Sequence, residues 1–294
     1  GTGSDKTYGV AFGDVDGDSK PDLFIGLENG SIVFRKNIST GSTPLFAAAT
    51  ASYQDNNGTP INAGQFASPQ LFDLNKDGKL DLLIGQKTGE IMYYRNIGTS
   101  TVPSFQLETN ILGNVDVSTT TPDGFPYPHF FLHNDTTYLL VGAYDGKIRF
   151  YDSIDGSLNG SFHLRTDHFL GLDLGAYSAC SIVDIDSDGK LDMFVGQDLG
   201  GIFHLEHDAS SSLGTTAIEK GIEFSIHPNP SGGVFYIESQ KTGFSLYLMD
   251  QFGRKCHTIF IDSNTTIVDL SFLSNGQYFL QAEDYSGVVR MIKR

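Results

Sequence analysis

The chain has 294 residues, which is enough for two average domains, and 35 Asp and Glu outnumber 19 Lys and Arg to give a net charge of −16. This charge repels nucleic-acid phosphates, and no apolar run approaches the roughly 18 residues of a membrane-spanning helix. Nucleic-acid binding and a membrane-spanning segment are therefore excluded. The 34 glycines, 13 Tyr and 22 Phe favour short strands joined by tight turns.

The acidic side chains are distributed unevenly along the chain. Residues 1–221 hold 28 acidic and 13 basic side chains, whereas residues 222–294 hold seven and six. The stretch 208–221 is small, polar and aperiodic, which is typical of a linker. We therefore predict an acidic domain over 1–207, a linker over 208–221 and a nearly neutral domain over 222–294.

The acidic part contains one motif in four copies, at residues 12–26, 72–85, 131–142 and 183–196. In three copies Asp or Asn recurs at alternate positions, a further Asp follows, and an apolar run ends in glycine. The third copy has lost most of its acidic residues. The terminal glycines are 59, 57 and 54 residues apart, and a period in this range indicates repetition of one supersecondary unit.

Each copy has the same predicted strands. The apolar run is typical of a buried strand, a glycine-containing turn follows it, and an alternating strand comes next. Further turn and strand phrases bring the content to about four strands per repeat, as in one blade of a β-propeller. We therefore predict an all-β fold in which residues 1–207 form about four propeller blades.

The Asp-rich motif has the spacing of a cation-binding loop. Oxygen ligands at positions 1, 3 and 5, a backbone carbonyl at 7 and a carboxylate at 9 can surround one hard cation, and Ca²⁺ prefers six to eight oxygens. Zinc is disfavoured because no Cys or His takes part. The alternative is a solvated Asx-turn without an ion. The three predicted calcium sites are Asp14, Asp16, Asp18, Lys20 and Asp22; Asp73, Asn75, Asp77, Lys79 and Asp81; and Asp184, Asp186, Asp188, Lys190 and Asp192.

These copies resemble the FG-GAP/VCBS repeat, the blade unit of integrin-α-like propellers, over about residues 5–207. The resemblance implies that the calcium loops are structural rather than catalytic. Propellers of this kind more often have about six to eight blades. We therefore expect the four copies to be part of a larger propeller, and a closed four-bladed ring is the second arrangement.

The small domain consists of seven short apolar segments separated by turns, which predicts an Ig-like β-sandwich. Several short phrases of this domain stand out, and their residues are Pro228, Asn229, Pro230, Gly253, Arg254, Gly276, Tyr278, Lys293 and Arg294. These phrases closely resemble a type A C-terminal sorting domain, the export signal of the type IX secretion system of Bacteroidetes. An ordinary appended sandwich is the alternative.

The sorting-domain resemblance implies a route and two partners. The outer-membrane translocon would recognise residues 222–294 and a cell-surface sortase would cut in the linker. The protein would pass through the periplasm and be released or attached to the cell surface. Extracellular calcium at millimolar concentration would suit loops of modest affinity.

Catalytic motifs are missing from the sequence. It contains no G-x-S-x-G elbow, P-loop or dinucleotide glycine motif. The aromatic run 125–131 is interpreted as core or blade packing, and a ligand pocket is the alternative. We therefore predict a non-enzymatic extracellular calcium-binding module that acts in adhesion by binding an unknown protein or glycan. The alternative is an accessory propeller of a secreted polysaccharide-degrading enzyme whose catalytic part lies upstream.

Overall fold

The computed structural model describes residues 6–50, 52–118, 123–171, 175–198, 200–205, 224–250, 254–282 and 288–294. These residues form 21 strands in six antiparallel sheets and no α-helix, which confirms the all-β prediction. No helix among them is long and apolar enough to cross a membrane. The chain divides into two compact units, Gly1–Asp167 and His168–Arg294. The predicted linker 208–221 lies outside the described residues, so the predicted domain boundaries stay a prediction.

Each of the four repeats forms one small sheet in which strands adjacent in sequence pair with each other. The first and fourth sheets have three strands, and the second and third have four. The strands are β1 Thr7–Gly13, β2 Asp22–Leu27, β3 Ile32–Arg35, β4 Ser68–Phe72, β5 Asp81–Gly85, β6 Ile91–Asn96, β7 Phe105–Thr109, β8 Tyr127–His133, β9 Thr136–Gly142, β10 Ile148–Asp152, β11 His163–Thr166, β12 Ala179–Val183, β13 Asp192–Gly196 and β14 Ile202–Leu205.

The second sheet is covered on both faces, which explains its unusually apolar strands. Phe24 and Ile84 belong to the core between the first and second sheets, and Leu83 and Phe130 belong to the core between the second and third. Every residue of β5 is therefore buried, as expected for a strand that reads as a continuous apolar run.

The first strands of the first three sheets lie side by side, with β1 against β4 and β4 against β8. The Gln70 side chain joins β4 to β8, because its amide donates to the Phe130 carbonyl at 2.8 Å and accepts from the Phe130 backbone N–H at 2.7 Å. Closure of the sheets into a propeller ring stays a prediction.

The degenerate third copy has no Asp loop. Its strands β8 and β9 are joined directly by Asn134 and Asp135, which have left-handed φ angles of 48° and 58°. Two consecutive left-handed residues form the tight hairpin turn that Asn and Asp tolerate best. A two-residue turn therefore stands where the other copies have an eight-residue loop between their strands.

The C-terminal strands form the predicted sandwich. One sheet has the order β15-β16-β19 and the other has the order β18-β17-β20-β21. Phe235 and Ile237 of the first sheet pack with Leu246 and Leu280 of the second in one core. The strands are β15 Phe224–His227, β16 Val234–Ser239, β17 Phe244–Asp250, β18 Lys255–Ile261, β19 Thr265–Asp269, β20 Gly276–Ala282 and β21 Val288–Lys293.

Candidate functional site

The three Asp loops connect β1 to β2, β4 to β5 and β12 to β13, and they share one hydrogen-bond pattern. The first Asp of each loop accepts backbone N–H groups from the fifth and sixth positions through its two carboxylate oxygens. These distances are 3.2 and 2.7 Å for Asp14, 3.0 and 2.8 Å for Asp73, and 3.1 and 3.0 Å for Asp184. The first Asp therefore holds each loop in a tight turn.

The Asp at the fifth position of each loop accepts the backbone N–H of the residue at the seventh position, which is a lysine. Asp18 accepts from Lys20 at 3.0 Å, Asp77 from Lys79 at 3.0 Å and Asp188 from Lys190 at 2.8 Å. The lysine ammonium also lies 3.5, 3.2 and 2.8 Å from the same carboxylates. Each fifth carboxylate is therefore partly neutralised, and hydrogen bonds from Asn75 and Lys79 lower the pKa of Asp77 against the opposing effect of partial burial.

Carboxylates from the first, third and fifth positions converge in two of the loops. One carboxylate oxygen from each of Asp14, Asp16 and Asp18 lies within 4.8 Å of the others, and Asp184, Asp186 and Asp188 form an equivalent group. In the second loop the third position is Asn75, whose amide donates to Asp77 Oδ2 at 3.2 Å. Three predicted ligands therefore converge in the first loop, and three converge in the third loop.

The two carboxylate oxygens of Asp16, at the third position of the first loop, differ in their hydrogen-bond partners. Asp16 Oδ2 forms an ion pair with Lys36, and this hydrogen bond raises the pKa of the Lys36 ammonium. Asp16 Oδ1 is buried and has no hydrogen-bond partner in the described part of the chain. A buried carboxylate oxygen without a donor is unfavourable, so a cation at this position would be stabilising.

The Asp at the ninth position of each loop is the first residue of β2, β5 or β13, where it is buried. Asp22 and Asp81 each accept a backbone N–H from a residue fifteen positions further on, Asn37 and Asn96, at 2.8 Å. Asp192 accepts the N–H of Ile185 at 3.0 Å. The ninth Asp therefore connects the loop to its sheet.

Burial changes the acidity of these ninth-position carboxyl groups. It raises the pKa of Asp81 to about 6, against hydrogen bonds from Asn96 and Tyr93. The pKa of Asp22 is also raised, first by burial and then by the charge of Asp16. Asp22 Oδ2 is the second buried carboxylate oxygen of the first loop that has no donor within the described residues. Both groups would ionise more readily beside a bound cation.

An aromatic cluster, defined here as Tyr8, Phe66, Phe125 and Tyr144, lies at the ends of the first three sheets. The ring centroid of Phe66 lies 5.3 Å from that of Tyr8 and 5.0 Å from that of Phe125. The ring centroids of Phe125 and Tyr144 are 6.0 Å apart. The Lys87 ammonium lies 5.8 Å from the Phe66 ring and 6.0 Å from the Phe125 ring. This arrangement combines flat apolar faces with one cation.

Sequence reasoning did not identify the aromatic cluster, although the chain carries a signal for it. Phe66, Phe125 and Tyr177 each stand two residues before the first strand of a repeat, and each has a left-handed φ near 50°. This conformation is costly for a bulky side chain. Within the aromatic run 125–131, Phe130 packs in the core as predicted, whereas Phe125 joins the cluster.

The predicted sorting residues that the structure describes make contacts within the sandwich. Asn229 Oδ1 accepts the N–H of Ile292 at 2.8 Å, and Tyr278 donates its hydroxyl to the Ser274 carbonyl at 3.0 Å. Lys293 is only 7% exposed and donates to Asn275. Pro228 and Pro230 flank Asn229 before β16, and Gly276 is the first residue of β20. Arg254 forms an ion pair with Asp250, and the backbone N–H of Arg294 donates to the Ser231 carbonyl. Gly253 lies outside the described residues.

Comparison with known proteins identifies two parts of the chain. Residues 14–84 match the family model of an FG-GAP-like repeat, and residues 225–293 match that of a secretion system C-terminal sorting domain. The first match contains the first two Asp loops, and the second contains all seven strands of the sandwich except the first residue of β15. No curated protein matches the sequence.

Two solved structures are similar over nearly the whole chain, at low identity. PorZ, described as an essential bacterial surface component of the type-IX secretion system of Porphyromonas gingivalis, is 14% identical over 98% of this chain with a TM-score of 0.35. Sqt1 of Saccharomyces cerevisiae is 11% identical over 100% of this chain and 87% of its own, with a TM-score of 0.34. The chain spans 45% of the length of PorZ. The two family matches show that the chain carries an FG-GAP-like repeat followed by a type IX secretion C-terminal sorting domain, which indicates export to the cell surface or secretion.

Proposed function

We propose that the chain is an exported, non-catalytic binding module that holds calcium in three Asp loops and attaches to a protein or glycan outside the cell. The sorting domain supports export, the FG-GAP-like repeat supports a binding role, and both are non-catalytic domain types. The observation that carries the calcium proposal is the convergence of three carboxylates in each of two loops.

The donors in the loops suit Ca²⁺ better than other common metal ions. Asp14, Asp16 and Asp18 offer carboxylate oxygens, and sulfur and nitrogen ligands are missing from the motif. Hard oxygen donors of this kind favour Ca²⁺ or Mg²⁺ over zinc. The unpartnered buried oxygens of Asp16 and Asp22 further support a cation in the first loop. Calcium bound there would neutralise charges that otherwise repel one another.

The calcium proposal extends to the lysines and to the second loop. In each loop the seventh residue would contribute its carbonyl oxygen, and its ammonium would move away from the fifth carboxylate when Ca²⁺ binds. The second loop has one carboxylate fewer because Asn75 replaces Asp. A lower ligand charge reduces calcium affinity. We therefore expect the second loop to bind Ca²⁺ more weakly than the third.

The aromatic cluster is the part of the repeats that best suits ligand binding. Tyr144 is exposed and Tyr8 is half-buried, so their rings present apolar faces beside the polar groups of Lys87 and Gln65. Aromatic faces with a few polar groups recognise sugar rings and protein side chains alike. The same cluster would therefore be the adhesive surface, with the calcium loops stiffening the sheets that carry it.

Calorimetric titration of the full chain with Ca²⁺ tests the proposal directly. We expect three sites in the wild-type protein, two sites in the Asp188→Ala variant and three sites in the Asp135→Ala variant. Asp135 is the matched control because it lies in the equivalent turn of the copy that has no loop. Heat of binding that is missing in the wild-type protein, or lost equally in both variants, would contradict the calcium proposal.

Export has its own test. A chain that lacks residues 225–293 should accumulate in the periplasm of a host with type IX secretion, whereas the full chain should reach the surface or the medium. Appearance of the truncated chain outside the cell would overturn the proposed route without affecting the calcium result.

A further inference from the structure

Three signature residues of the sorting domain, Asn229, Tyr278 and Lys293, help to hold the sandwich together through their side chains. The Asn229 side chain and the Ser231 backbone bind the last strand, since Asn229 Oδ1 accepts the N–H of Ile292 and the Ser231 N–H donates to the Ile292 carbonyl at 3.0 Å. Lys293 and Tyr278 are buried. A partner that recognises the folded domain needs a set of exposed side chains, which Lys293 and Tyr278 do not supply.

The outer face of the sheet β15-β16-β19 offers such a set. Alternate residues of these strands point away from the core, and His227, Tyr236 and Ile267 stand side by side in one cross-strand row. Val234 precedes Tyr236 on the same face of β16. Val234, Tyr236 and Ile267 are 42%, 38% and 65% exposed. We call these four residues, His227, Val234, Tyr236 and Ile267, the outer row.

The outer row departs from what a solvent-facing sheet surface normally shows. Residues on the wet face of an antiparallel sheet are usually polar, and contiguous exposed apolar side chains mark interaction surfaces. The Tyr236 ring is held in place by stacking on His227, with centroids 5.6 Å apart and planes at 8°. His227 in turn lies 3.2 Å from Glu238. The row is therefore a preorganised aromatic centre, with Ile267 beside it across the sheet and Val234 beside it along β16.

We propose that the outer row is the surface through which the export machinery recognises the folded sorting domain. This inference rests on the proposed function, because it is export that requires a partner for residues 225–293. The partner would be a protein that covers Tyr236 with apolar side chains and places a basic group near Glu238 or Asp269, the acidic residues of the same face. Tyrosine at the centre of a small apolar patch is typical of an interface hot spot.

The second sheet supplies a matched control. Phe260 on edge strand β18 is 60% exposed and lies opposite Ser245, so it is a similarly exposed apolar residue outside the outer row. Replacement of Phe260 should have the same general effect on solubility and strand propensity as replacement of Ile267. The two positions differ in the surface to which they belong.

The experiment compares export of the full chain with that of three variants in a host with type IX secretion. We expect the Tyr236→Thr/Ile267→Thr variant and the single Ile267→Lys variant to reach the surface or medium roughly tenfold less than wild type, with uncut protein retained in the periplasm. Phe260→Thr should be exported normally. Melting temperatures of all purified chains should agree, and Ile267→Lys keeps the test valid if the double variant folds poorly, because that side chain is mostly in water.

Three results would overturn the inference. Wild-type export of both outer-row variants would exclude this face, and equal loss in Phe260→Thr would show that any exposed apolar residue matters. A dimeric wild-type chain that becomes monomeric in the variants, with export unchanged, would show that the face pairs two copies of this chain. Export of a chain without residues 225–293 would instead contradict the proposed function itself.

Discussion

The carboxylate of Asp81 accepts the backbone N–H of Asn96 at 2.8 Å, so the end of a predicted calcium loop is bound to a strand fifteen residues further along the chain. Asp22 and Asn37 repeat this relationship at the same distance in the first sheet. In the second sheet Asp81 also accepts the Leu74 N–H and the Tyr93 hydroxyl. In the first two sheets the Asp at the ninth position therefore connects two segments of its sheet through hydrogen bonds.

Removal of the Asp81 carboxylate should destabilise the protein in the absence of calcium. In EDTA we expect the Asp81→Ala variant to lose about 3 kcal/mol of unfolding free energy, because buried donors left without an acceptor cost roughly 1–3 kcal/mol each. Asp77→Ala, in the same loop but exposed, should lose less than about 1 kcal/mol. Urea unfolding measures both values. Equal losses would show that the buried connection contributes nothing beyond the loop itself.

Calcium should stabilise the protein by mass action. Each filled site adds about 2.7 kcal/mol when the free Ca²⁺ concentration is 100 times the dissociation constant, provided that the unfolded chain does not bind the ion. Addition of EDTA should therefore lower the melting temperature of the wild-type chain by several degrees. Asp184→Ala should reduce the shift, since Asp184 both binds the loop backbone and faces the carboxylate group. A melting temperature that is identical with Ca²⁺ and EDTA would argue against filled sites.

The loop motif could be predicted from sequence because its chemistry is local. Alternate carboxylates in a short turn converge wherever the turn forms, and Asp14, Asp16 and Asp18 do converge. The structural role of Asp22 was not predicted, although strand periodicity carries the information: Asp22 has the same parity as the buried Phe24 on β2. Its predicted role as a cation ligand stays a prediction. A ligand-spacing argument overlooks this signal because it treats the ninth residue as part of the loop.

The aromatic cluster and the outer row depend on pairings between distant segments. Tyr8, Phe66 and Phe125 come from three repeats and meet because β1, β4 and β8 lie side by side. His227, Tyr236 and Ile267 meet because of the register of three strands, and register follows from which alternate residues face the core. Local sequence patterns predict each strand, but they do not predict which strands lie beside it.

The stability of the third sheet should depend on pH through Asp152. Burial alone would raise the pKa of its carboxyl group, but hydrogen bonds from Arg165 and His163 outweigh burial and hold the pKa below its ordinary value of 3.8. A lowered folded-state pKa means that the ionised group stabilises the fold above the unfolded-state pKa, and that this contribution is lost as the pH falls through the folded-state pKa.

Asp152→Asn should therefore cost about 2 kcal/mol of unfolding free energy at pH 7, with a smaller difference from wild type at pH 3. Urea unfolding at the two pH values measures this difference. Glu108→Gln is the control, because the exposed ion pair of Glu108 with Arg95 should contribute little at either pH. A difference that grows as the solution becomes more acidic would contradict the sign of the Asp152 pKa shift.

Separation of folding from recognition in the sorting domain can be tested at Asn229. The Asn229→Ala variant loses the acceptor for the Ile292 N–H, so we expect it to unfold about 1 kcal/mol more easily and to be cut more readily by proteases near its last strand. Asn275→Ala is a suitable comparison, since it removes the acceptor of the ammonium of Lys293, which is buried and follows Ile292 on the same strand. If both variants lose export in proportion to their stability, the signature residues act through the fold. Loss of export in Asn229→Ala at unchanged stability would instead assign direct recognition to Asn229.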